Sequence, residues 1–127
     1  MRCLLDTQAI IWMLENDPKL SKGASLVIKD AQNELYASIV SLWEMTIKRS
    51  LGKLNIRPSL DDVQLELRRI QIPILPIEMS HLKKLQGLAY HHKDPFDRLL
   101  ISQALAESLT LISSDGEFKK YAIKVLW

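Results

Sequence analysis

The chain has 127 residues, 47% of them apolar and 25% charged, which suits one domain with a substantial core and excludes a disordered tail or a fibrous repeat. Its net charge of +2 gives no general attraction for nucleic acid, so such a partner has to be argued from local clusters. The one cysteine, Cys3, has no disulfide partner and fits a reducing cytoplasm.

Arg2 to Leu5 reads as a strand, and a helix follows to about Glu15, where Asn16-Asp17-Pro18 stops it. Asp6 interrupts the N-terminal apolar run early, so no secretory leader is expected, and Ala9 to Leu14 is too short to span a bilayer. Ser21 opens a second helix with Ala24, Val27, Ile28 and Ala31 on one face. Leu35 to Ile39 is the second strand. Ser41 then opens a helix carrying Trp43, Ile47 and Leu51 at helical spacing, with Gly52 as its stop.

Ser59 starts a helix with Val63, Leu67 and Ile70 on one face, and Pro73 to Pro76 is a short extended segment. Ser80 to Leu88 is a brief helix. Asp94-Pro95 begins a long one that reaches about Ser108, since aspartate caps and proline fits the first turn. Leu109 to Ser113 is a strand, Asp115 to Tyr121 a short helix and Ala122 to Leu126 a last strand. Strands joined by helices pair in parallel, and right-handed crossovers put helices on both faces. The expected architecture is a three-layer α/β/α sandwich with a four- to five-stranded parallel sheet, as a single domain over residues 1–127.

The acids recur at one end of these elements. Asp6 ends the first strand, Asp115 follows the Thr110 strand, Glu44 falls in the first turn of the helix after strand two, and Asp97 in the first turn of the long helix. Open parallel sheets bind ligands beyond the carboxyl ends of their strands, where the strand order reverses. If the first strand and the Thr110 strand are neighbours, their ends lie about 5 Å apart, which brings Asp6 beside Asp115.

Each acid also has a local explanation. Asp6, Asp94 and Asp115 sit where caps or turns form, Asp97 favours the helix dipole, and Ser41 with Glu44 matches a capping box. Capping does not require all these starts to face one end of the sheet. Two carboxylates about 4 Å apart repel by about 4 kcal/mol at an effective dielectric of about 20, so a cluster raises a pKa or takes up a cation. Hard ions such as magnesium or manganese choose oxygen ligands, and adjacent His91 and His92 with a solitary Cys3 offer no zinc set.

The local basic groups include Lys48-Arg49 with Lys53, and His91-His92-Lys93. Most such groups are solvated helix faces, though both could follow a nucleic-acid backbone. Lys48 stands one turn after Glu44 and reads first as its ion-pair partner. Arg98 is placed either to steady a phosphate or to pair with a neighbouring acid. Trp12 and Trp43 read as core, while Tyr90 is available for base stacking.

The stretches Leu4-Leu5-Asp6-Thr7, Ser38-Ile39-Val40-Ser41-Leu42-Trp43-Glu44, His92 to Ala104 and Leu111 to Asp115 together resemble PIN-domain ribonucleases, and specifically VapC-type toxins of toxin–antitoxin pairs. The likeness puts Asp6, Glu44 and Asp97 on the family's invariant acidic positions and Asp115 on a fourth, more variable one. Ser113 stands where threonine is common, and Ser102 where alanine is. The resemblance implies magnesium- or manganese-dependent hydrolysis of an RNA phosphodiester, leaving a 3′-hydroxyl and a 5′-phosphate. Asp6 and Asp97 would be principal metal ligands, with Glu44 and Asp115 completing the site. Thr7, Ser41, Lys48 and Arg98 are the candidate substrate contacts. A homodimer and a separately encoded antitoxin that blocks the site are implied as well.

A PIN-like module that binds RNA or protein without cutting is the alternative. Receiver-type and haloacid-dehalogenase-like sites fit less well, since each wants a further acid close behind Asp6, where this chain has Thr7-Gln8. The four glycines, Gly23, Gly52, Gly87 and Gly116, form no phosphate-cradling loop.

Overall fold

The computed structural model describes residues 1–127. Five strands, β1 (Arg2–Leu5), β2 (Glu34–Ser38), β3 (Ile74–Leu75), β4 (Thr110–Ile112) and β5 (Val125–Leu126), form one sheet in the order β3-β2-β1-β4-β5. All neighbours are parallel. The connections carry α1 (Thr7–Leu14), α2 (Lys22–Lys29), α3 (Ile39–Ser50), α4 (Leu60–Arg69), α5 (Met79–Gln86) and α6 (Pro95–Glu107), with a 3₁₀ turn at Gly116–Lys120 before β5. This is the expected α/β sandwich. No helix is long and apolar enough to cross a membrane.

The three layers follow from the period of β1. Cys3 and Leu5 point to one face, where they pack with Ile10 of α1, Met45 of α3 and Leu67 of α4. Leu4 points to the other and meets Leu100 and Ile101 of α6 together with Phe118. Cys3, Leu4 and Leu5 are all fully buried, as befits a central strand covered on both sides.

Strand order reverses between β1 and β4, because the chain runs outward through β2 and β3 and then returns to the other flank of β1. Leu5 pairs with Ile112, and the Asp6 N–H donates to the Ile112 carbonyl at 3.1 Å, extending that ladder to the switch point. Helices that follow β1 and β2 start at this end of the sheet. So does α6, which runs antiparallel to the strand it precedes.

Two local expectations are corrected. The helix after β2 begins at Ile39, capped by Ser38, whose Oγ accepts from the Val40 N–H at 3.0 Å. Ser41 is therefore a buried helical residue and not the cap, and Glu44 lies in the second turn. Trp43 is not core: it is 48% exposed and packs edge-on against Phe96, with ring centroids 4.8 Å apart. Ile47 and Leu51 are exposed too, because the inward face of α3 is formed by Val40, Ser41, Leu42, Glu44 and Met45.

Candidate active site

At the switch point lies a cleft of about 180 Å³ lined by five carboxylates, those of Asp6, Glu44, Asp94, Asp97 and Asp115, with Lys48 among them. The four acids expected to gather do gather, and Asp94 joins them. Larger cavities beside α4, of about 360 and 270 Å³, contain no carboxylate.

Three of the acids cap the start of an element. Asp6 caps α1, its Oδ1 accepting from the Ala9 N–H at 2.7 Å. Asp94 caps α6, accepting from the N–H groups of Phe96 at 2.8 Å and Asp97 at 3.2 Å. Asp115 caps the 3₁₀ turn through Glu117 N–H at 2.9 Å, and its own N–H donates to the buried Ser113 Oγ at 3.0 Å. Capping and clustering are thus both real, and Asp6, Asp94 and Asp115 each do both tasks. Glu44 is held differently. It is buried, its Oε1 is 2.8 Å from Thr7 Oγ1, and its Oε2 is paired with Lys48 Nζ. Thr7 Oγ1 is also 2.9 Å from Ser41 Oγ; its single proton goes to the carboxylate, so the two hydroxyls share the Ser41 proton.

The electrostatics follow from burial and like charge. Burial pushes Asp6 up to about 6, with Asp115 and Glu44 adding to the rise against the Ser113 and Ala9 donors. Burial, then the charges of Asp94, Glu44, Asp115 and Asp6, pushes Asp97 up to about 7. Lys48 is held above its ordinary value, first by its bond to Glu44. With one ammonium among five carboxylates, the cleft suits a hard divalent cation with oxygen ligands.

Arg98 is not in the cleft. It is buried beneath the loop before α6, where it donates to the carbonyls of Ala89 at 2.9 Å, Leu88 at 3.3 Å and His92 at 3.5 Å, and its guanidinium lies 3.9 Å from the centre of the Tyr90 ring. With those donors spent on backbone, it steadies the loop and pairs with none of the acids. Arg49 is likewise engaged, bonding to the Pro58 carbonyl at 2.5 Å.

His92 is the site residue that the sequence reading missed. Its Nε2 lies 3.2 Å from Asp97 Oδ2 and 3.9 Å from Asp115 Oδ2, so histidine and two acids offer ligand atoms within 4.8 Å of one another. Its neighbour His91 turns away, packing edge-on against Tyr121 at 5.1 Å. The available signal was spacing: an acceptor two residues before Asp94 can take that residue's N–H in a turn, and His92 Nδ1 does so at 3.0 Å.

A family profile described as PIN domain matches residues 3–124. No curated protein matches the chain in sequence. Among solved structures, VapBC2 from Rickettsia felis bound to a promoter DNA fragment is 20% identical with a TM-score of 0.69, over 100% of this chain and 99% of that one. VapBC-1 from nontypeable Haemophilus influenzae is 22% identical with a TM-score of 0.70, over 99% and 97%. VapBC-5 from Mycobacterium tuberculosis, described as a member of the VapBC family of toxin–antitoxin systems, is 15% identical with a TM-score of 0.61, over 98% and 95%.

Proposed function

The chain belongs to the PIN-domain family, and on that footing we propose that it is a divalent-metal-dependent endoribonuclease, the toxin of a toxin–antitoxin pair acting in the cytoplasm. The observation that carries the reading is the convergence of Asp6, Glu44, Asp97 and Asp115 on one cleft at the switch point of the sheet. Similar structures described as VapBC, one of them as a member of the VapBC family of toxin–antitoxin systems, support a cognate antitoxin as partner. A homodimer belongs to the same reading.

Asp6 and Asp97 are the principal ligands for magnesium or manganese, with Glu44 and Asp115 completing the set. The ion, when bound, supplies Lewis acidity: it lowers the pKa of a water and offsets charge developing on the phosphate. The protein's own part is to hold the oxygen ligands. Glu44 keeps its orientation through Thr7 and Lys48. Asp6 is held by the first turn of α1, its Oδ1 accepting the Ala9 N–H. Lys48 is the candidate phosphate contact at the mouth of the cleft, its side chain 39% exposed. Thr7 lines the cleft, and Ser41 acts behind it by bonding to Thr7. The RNA's own 2′-hydroxyl has no required role in a hydrolysis of this kind.

The test is a mixed RNA panel incubated with the purified chain in magnesium or manganese, with chelator and Asp97→Asn as controls. Metal-dependent cleavage that the variant lacks is the expected result. Binding of RNA without cleavage by the parent chain, unchanged in Asp97→Asn, would point instead to a non-cutting PIN-like module.

A further inference from the structure

We propose that His92 is a positioning residue for the metal ligands: its Nε2–H, turned toward Asp97 with Asp115 beyond, keeps the Asp97 carboxylate at its place in the cluster and does not itself coordinate the ion. The inference rests on the metal-binding reading of the cleft.

His92 is of a residue type that ligates metals, but the nitrogen it turns toward the acids carries a proton. Its Nδ1 accepts the Asp94 N–H at 3.0 Å, so that nitrogen carries no proton. In a neutral imidazole the proton is then on Nε2, the atom facing Asp97 Oδ2 at 3.2 Å and Asp115 Oδ2 at 3.9 Å. A ligating Nε2 would need the proton to move to Nδ1, directly against the Asp94 N–H. Coordination therefore requires breaking the turn that starts α6, whereas the Nε2–H already faces Asp97 with that turn intact.

The ring is held from several sides. Phe118, fully buried, stacks against it with centroids 6.3 Å apart and planes 24° apart. Arg98 reaches the His92 carbonyl at 3.5 Å while gripping Leu88 and Ala89, which ties the buried arginine to the placement of the imidazole. Asp115 Oδ1 is already engaged by the Glu117 N–H. With His92 beside Oδ2 of Asp97, the Oδ1 of Asp97 is left for a cation. A donor here also offsets repulsion between two carboxylates that must stay close before the ion arrives.

The test compares three full-length variants by Mn²⁺ binding at fixed pH, with thermal melting to verify folding. His92→Asn can still accept the Asp94 N–H through an Asx turn but is too short to reach Asp97. His92→Gln carries an amide donor to about the position of Nε2. Loss of an outer partner of a metal ligand typically weakens metal binding about 10- to 100-fold, which is the effect expected for His92→Asn and His92→Ala, with His92→Gln staying within about threefold of the parent. In electron spin-echo spectra, bound Mn²⁺ shows no directly coordinated imidazole nitrogen. ¹⁵N NMR of the metal-free chain shows His92 with a bare Nδ1 and a protonated Nε2. Parent-like Mn²⁺ affinity in a folded His92→Asn, or an imidazole nitrogen on the ion, would overturn the positioning role while leaving the metal site intact. A parent chain that binds no Mn²⁺ would overturn both readings together.

Discussion

Thr7 Oγ1 and Glu44 Oε1 stand 2.8 Å apart, joining the first residue of α1 to the second turn of α3 inside the acid cleft. Both residues are buried, so the hydroxyl is one of two donors that reach this carboxylate, Lys48 being the other. A hydrogen bond to a charged group contributes about 1.5–3 kcal/mol, so Thr7→Val is expected to destabilise the metal-free chain by about that amount in urea denaturation. Thr7→Ser keeps the hydroxyl and should recover most of the loss. Equal stability of Thr7→Val and the parent would show that Glu44 does not depend on the contact.

Removing Lys48 acts in opposite directions on folding and on metal. The ammonium pairs with a buried Glu44 and feels Asp94 and Asp97, but its side chain is 39% exposed, so solvent weakens these terms. Lys48→Met is expected to cost the metal-free chain about 1 kcal/mol and to tighten Mg²⁺ or Mn²⁺ binding about fivefold, because one positive charge leaves the cluster. Calorimetric titration checks the second effect. Weaker metal binding in Lys48→Met would mean that the lysine organises Glu44 more than it competes with the ion.

What the sequence made visible was local chemistry with a one-element reach. Asp94-Pro95 specifies a cap and a first turn within two residues, and α6 starts there. Ser38 and Ser41 could not be separated in that way. Ser41 fits a capping box with Glu44, yet Ser38 caps, and its hydroxyl also bonds to Gln103 Oε1 at 2.5 Å across 65 residues. That partner lies on α6 and is invisible to any window around β2. The rotation of α3 was hidden for a related reason. Its inward face includes Ser41 and Glu44, polar residues whose burial depends on the cleft, so the apolar spacing of Trp43, Ile47 and Leu51 pointed to the wrong face. His92 read as part of a basic surface because nothing in the sequence placed its ring over Phe118.

Arg98 provides a sharp test of a structural role against a catalytic one. Its guanidinium serves three backbone carbonyls and one face of Tyr90 from a buried position. Lysine cannot reproduce that planar fork, so Arg98→Lys and Arg98→Met should both destabilise the chain, by about 2–4 kcal/mol for the latter. Amide exchange of residues 88–93 should quicken in both variants. A variant that melts like the parent and loses only cleavage would return Arg98 to the list of substrate contacts.

The raised carboxyls give the metal-free chain a pH dependence of definite sign. Asp6 and Asp97 titrate at about 6 and about 7 in the folded state, above the ordinary aspartate value of 3.8. Between those limits the native chain holds protons that the unfolded chain has lost, so stability falls as pH rises from about 4 to about 7 and levels off above. At 1.36 kcal/mol for each pKa unit, the displacement of Asp97 corresponds to about 4 kcal/mol. The metal-free chain should therefore melt higher at pH 5 than at pH 8. Asp97→Asn should remove much of that slope and raise the melting temperature at pH 8. Added Mg²⁺ or Mn²⁺ should stabilise the parent far more at pH 8 than at pH 5, because the ion binds the ionised cluster and competes with protons for it. A flat profile in the metal-free chain, or a metal effect equal at both values, would mean that burial and the neighbouring carboxylates do not raise Asp6 and Asp97 as their placement requires.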